Sequence, residues 1–109
     1  MEFYSVSKFV RMSEKKVREI TRVLRGRGAE EAVQLLKFVP RKSARLVEKT
    51  LVSAIANASC GGARKENLFI KEAITQQGIA FKRFMPVSRG SAHPIRKRTS
   101  HIKIVLVEK

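Results

Sequence analysis

The sequence predicts an α+β fold: three helices packed on a small antiparallel sheet, with a long protruding β-hairpin. Three observations carry this. Apolar residues recur at helical spacing in three successive stretches before Gly61. From Leu68 the period changes to the alternation of strands. Between the late strands, residues 81–103, FKRFMPVSRGSAHPIRKRTSHIK, hold seven Lys or Arg and no carboxylate, which leaves no apolar side to bury. A chain of 109 residues builds one modest core, so residues 1–109 are expected to be a single domain with an extended hairpin at about 79–98.

The first stretch, FYSVSKFVRM, is rich in aromatic and β-branched residues and reads as a strand. Alternation places Tyr4, Val6, Val10 and Met12 on one face, with Lys8 the exception. Ser13 suits an N-cap, and Val17, Ile20 and Leu24 follow at helical steps until Gly26 and Gly28 stop them, so helix one is expected over 14–25. Glu30 and Glu31 favour the start of a short second helix that Pro40 blocks. The third is the clearest, with Ala44, Val47, Leu51, Ile55 and Ala58 on one stripe and Gly61–Gly62 as the stop. GARKEN reads as a surface loop. Strand-like arms then run out over 68 to about 87 and back over about 92 to 107, each on the order of 50 to 65 Å at strand rise. Ile70, Ile74, Ile102, Ile104 and Leu106 are placed to pack on the helices.

Charge decides what such a chain meets. Twenty-four Lys and Arg stand against nine acidic residues, a formal net charge of +15. All nine are Glu, and none lies between Glu72 and Glu108, so the last third needs an external anion. No apolar run approaches the roughly 20 residues of a spanning helix, and the N-terminal MEFYSVSKFV lacks the pattern of a secretory signal. Cys60 has no second cysteine to pair with, which suits a reducing compartment.

The basic residues beyond the core's reach, Lys82, Arg83, Arg89, Arg96, Lys97 and Arg98, are the candidate contacts. An isolated two-stranded ribbon is marginal in water, and a polyanion supplies the neutralisation it lacks. Arg bonds phosphate bidentately and stacks on bases, so the Lys and Arg mixture points to structured RNA. Arg41, Lys42, Arg45 and Lys49 form a second basic group, balanced between a phosphate contact and a solvated helix face. Phe81 and Phe84 divide evenly between stacking on bases and packing within the hairpin. His93 and His101 lack Cys or carboxylate neighbours at ligand spacing, so no metal or other cofactor is expected. Cys60 reads as a small packing residue. SAIANAS has no nearby His and acid, there is no phosphate-cradling Gly-rich loop, and no enzyme activity is expected.

SAIANA at 53–58, KRFMP at 82–86 and IRKRTSHIKIV at 95–105, following KVREITRVLRG at 16–26, closely resemble the bacterial type of large-ribosomal-subunit protein number twenty-two. The resemblance spans essentially the whole chain. It implies a structural constituent of the large ribosomal subunit that binds large-subunit rRNA, aids assembly, and lines the nascent polypeptide exit tunnel with its hairpin tip. Carried over, Lys82 and Arg83 match the outgoing arm, and Arg96, Lys97, Arg98, Thr99, Ser100 and His101 the returning one. Met85, Pro86, Val87, Ser88, Arg89 and Gly90 fall at the tunnel-lining tip, where this chain is less charged than its relatives. The expected partners are the rRNA, neighbouring ribosomal proteins and, in passing, the nascent peptide, with no membrane. The protein is expected to be a monomer outside the ribosome and cytoplasmic within it, or in an organellar ribosome.

Two rivals leave sequence signatures of their own. A β-ribbon that binds any duplex usually dimerises, and no apolar dimer seam is visible. A cationic membrane-active or acidic-protein-binding module needs aromatic anchors, yet there is no Trp and one Tyr.

Overall fold

The computed structural model describes residues 2–77, 81–86, 92–97 and 99–108. Strand β1 (Glu2–Val10) leads into helices α1 (Glu14–Thr21), α2 (Ala29–Lys37) and α3 (Lys42–Cys60). Strands β2 (Leu68–Gln77), β3 (Phe81–Pro86), β4 (Ala92–Lys97) and β5 (Ser100–Glu108) follow. One antiparallel sheet has the order β1-β5-β2, and β3 pairs with β4 as a separate antiparallel ribbon. This is the predicted α+β architecture. The extents of 62 × 24 × 17 Å accord with a protruding ribbon.

The core lies between the helices and one face of the sheet. Ile102, Ile104 and Leu106 alternate inward from β5 and are fully buried, as are Val17, Leu24, Val47 and Leu51 opposite them. Ala44, Ala54 and Ala58 are also fully buried, and their small side chains let α3 lie close to the strands. At the end of α3 the approach is closer still, since a Cβ on Gly61 would stand 2.6 Å from Phe3 Cε1.

Strand β1 corrects the sequence reading. Its inward row is Phe3, Ser5 and Ser7, while Tyr4 and Val6 face outward at 61% and 40% exposure. The register shifts between Ser7 and Val10, where Phe9 adopts φ +56°. This bulge turns Val10 inward against the core. A strict alternation drawn through residue 9 therefore places Val10 on the wrong face relative to Tyr4.

Helix α1 stops at Thr21, short of the predicted residue 25. The chain tightens to i→i+3 bonds, with Leu24 N donating to Thr21 O at 3.1 Å. It is then clipped to β2: Gly26 N donates to Ile70 O (2.8 Å), and Ile70 N to Arg27 O (2.9 Å). Gly26 takes φ +84°, which glycine adopts freely. Leu24 stays in the core because the tighter turn keeps it on the Val17 and Ile20 stripe. Ser13 does occupy the N-cap position of α1, but its side chain makes no capping bond. GARKEN includes a 3-10 turn at Lys65–Asn67. Cys60 is exposed rather than packed, because it lies off the face of α3 that carries Ala54 and Ala58.

Each predicted arm is two strands rather than one. Gln77 pairs with Ser100 in the sheet, and Phe81 with Lys97 in the ribbon. Three residues separate β2 from β3 and two separate β4 from β5, so the ribbon is offset from the sheet by one.

Candidate nucleic-acid interface

The ribbon's register sets two basic residues against each other. Lys82 lies directly opposite Arg96, Phe81 opposite Lys97, Arg83 opposite Ile95, and Pro86 opposite Ala92. Like charges facing each other across strands destabilise a ladder, and Pro86 and Pro94 lack ladder donors. Of the other sequence candidates here, Met85 is opposite His93. Val87, Ser88, Arg89, Gly90 and Arg98 lie outside the described residues.

Where the ribbon meets the sheet, the candidates differ in kind. Thr99 and Ser100 are 2% and 0% exposed, so they lie inside the protein rather than on its surface. His101 is half-buried, and its Nδ1 accepts a hydrogen bond from Phe9 N at 3.0 Å. The ring also meets Phe9 edge to face, with centroids 4.9 Å apart and planes at 88°. Asn57 donates from Nδ2 to Tyr4 O at 2.9 Å, which ties α3 to β1.

Arg41 and Lys42 stand exposed at the start of α3, Arg41 as its N-cap residue. No acidic residue occupies the first turn, so the positive end of the helix dipole and the cations add rather than cancel. Lys15 and Lys16 of α1 line the same recess, with Met12, Glu19 and Ser43. Glu19 is engaged by Arg41, Oε2 to Nη1, at 2.8 Å. The spacing of Lys15 and Lys16 gave no hint of this recess, because helix packing brings them to α3. Arg45 and Lys49 continue the exposed face of α3.

Several carboxylates of the body are already paired. Glu14 meets Arg18, Glu31 meets Arg27 at 3.3 Å, and Glu2 meets Lys71. Lys71 is the extra residue of a bulge in β2 and reaches across β5 to β1. Its hydrogen bond, more than its charge, holds the Glu2 carboxyl below the usual value, and raises the Lys71 ammonium in return. Such pairs consume acidic residues near the helices and sheet, and the ribbon has none of its own.

These features define a small, strongly basic α+β protein whose cations gather on a two-stranded ribbon and at one helix start. The chain matches the family described as ribosomal protein L22p/L17e over residues 5–107. It is 47% identical over 109 residues to the large ribosomal subunit protein uL22 of Opitutus terrae, covering 99% of this chain and 96% of that one. The chain belongs to the ribosomal protein L22p/L17e family.

Proposed function

We propose that this chain is a structural constituent of the large ribosomal subunit, acting by charge neutralisation and shape matching on large-subunit rRNA and performing no chemistry. The observation that carries this is the Lys82 and Arg96 pairing in a ribbon without carboxylates, taken with membership of a ribosomal protein family. A ladder built on facing cations gains from any polyanion that inserts between or beside them. The contacts assigned to rRNA are Lys82, Arg83, Arg89, Arg96, Lys97, Arg98 and His101, with Arg41 and Lys42 as a second station on the body. Thr99 and Ser100 act there as the ribbon's anchor. The segment 85–90 is assigned to the lining of the nascent polypeptide exit tunnel. The chain is a monomer until it meets rRNA and neighbouring ribosomal proteins, and it works in cytoplasmic ribosomes.

The test is salt-titrated binding to large-subunit rRNA, an unrelated structured RNA and duplex DNA of equal length. Preference for the rRNA that persists as salt rises is the expected result. Equal binding to all three, abolished together, overturns shape recognition and leaves only a polycation. Deleting residues 80–96 is expected to lower the salt slope by roughly 0.7 to 0.9 for each phosphate that the shortened chain no longer holds. An unchanged slope moves the phosphate-binding residues to the helices.

A further inference from the structure

The outward face of the β1-β5-β2 sheet carries an aromatic feature that the basic ribbon does not explain. Phe9 is 53% exposed although it is large and apolar, and its backbone is left-handed at φ +56°. Turning Val10 inward accounts for the bulge but not for the residue placed at it. Glycine or asparagine takes that conformation at little cost, and a small polar residue suits water better. The ring is held in place: Phe9 N donates to His101 Nδ1, and the two rings stand nearly perpendicular. That hydrogen bond uses Nδ1 as the acceptor and orients the His101 ring beside Phe9. In a perpendicular pair, His101 can cover no more than one face of the Phe9 ring.

The surroundings are cationic. Lys8 and Arg11 flank Phe9 in sequence and are exposed, and Lys103 lies one outward position along β5 from His101, its Nζ 5.4 Å from the Tyr4 ring centroid. An exposed ring on a sheet, bordered by cations, is the arrangement on which unpaired bases stack. We infer that Phe9, backed by His101, is a stacking platform for an unpaired RNA base at the root of the ribbon. This rests on the rRNA-binding reading above and adds a residue and a mode of contact to it. Lys8 and Arg11 neutralise the phosphates on either side of the stacked nucleotide.

The test uses the full chain and large-subunit rRNA. Phe9→Trp introduces the sole tryptophan, and its fluorescence is expected to be quenched on rRNA binding. Phe9→Ala and Phe9→Gly are expected to weaken binding roughly tenfold without changing the salt slope, since stacking releases no counterions. Phe9→Gly relieves the backbone strain, so weaker binding with undiminished thermal stability separates the ring's role from folding. Binding by both variants equal to the parent chain, with unquenched tryptophan, overturns the platform and leaves the rRNA reading intact. Weakening by Phe9→Ala alone, in step with reduced stability, overturns it as well. A blue shift without quenching in reassembled subunits means protein covers the ring, and that also overturns it. If the parent chain shows no preference for the rRNA, both readings fall.

Discussion

Ser7 Oγ lies 2.7 Å from Thr50 Oγ1, joining the inward row of β1 to the middle of α3. Thr50 also donates to Leu46 O at 3.1 Å. A threonine has one hydroxyl proton, so Ser7 is the donor between the two. Thr50 is 1% exposed, and removing its hydroxyl strands the Ser7 proton. Thr50→Val is expected to cost about 1 to 2 kcal/mol in urea denaturation. Adding Ser7→Ala should restore part of that, because removing both partners is cheaper than removing one. Strictly additive costs would refute the link.

The contact of Phe3 with Gly61 sets a second expectation. A Cβ at residue 61 would meet Phe3 Cε1 at 2.6 Å, Phe3 Cζ at 3.3 Å and Ala58 O at 3.4 Å, so the ring has to swing away. Gly61→Ala should destabilise the chain by about 1 to 3 kcal/mol. In a Phe3→Leu background the same change should cost clearly less. Equal costs in both backgrounds would show that the backbone, and not the ring, rejects the methyl group.

The Glu2–Lys71 pair sets a pH window. The folded Glu2 carboxyl titrates below its ordinary 4.5, chiefly through the hydrogen bond from Lys71. Its contribution is therefore complete above that value and is lost as pH falls through the lower folded one. Lys71 titrates above its ordinary 10.5, so its contribution is complete below 10.5 and is lost as pH rises through the higher folded value. Carboxyl NMR should place the Glu2 midpoint below 4.5, and Lys71→Met should raise it, since Lys71 is the largest cause of the lowering. Both groups are at the surface, so the melting temperature should hardly change.

The recess at the start of α3 predicts a weakening of binding that does not depend on the ribbon. Lys42→Gln and Lys15→Gln should each lower the rRNA salt slope by roughly 0.7 to 0.9 if the side chain holds one phosphate. The effects should persist after residues 80–96 are deleted. Slopes unchanged by both substitutions would make the recess a solvated face.

The helices were legible because apolar residues recur at helical steps and a glycine or, at residue 40, a proline stops each run. Leu24 was legible as a core residue even though the helix containing it was drawn too long, since a tighter turn preserves the stripe. Strand β1 was not, because one residue in the left-handed region at Phe9 inverts everything after it, and no local pattern marks a phenylalanine in that role. The ribbon's charge could be read directly. Its pairing register, which sets Lys82 against Arg96, depends on how many residues lie in each arm between sheet and ribbon. Lys15 and Lys16 needed the packing of α1 beside α3 before they could join Arg41 and Lys42.

The sheet order β1-β5-β2 has a consequence for synthesis. The first and second strands made never pair with each other; both pair with β5, residues 100–108. As the chain emerges, the three helices can form early, but Ile70 and Phe3 have no common neighbour until Leu106 arrives between them. Arrival of β5 is thus the event that closes the sheet. Until then the cationic ribbon that precedes it in the chain has no rigid base from which to be presented.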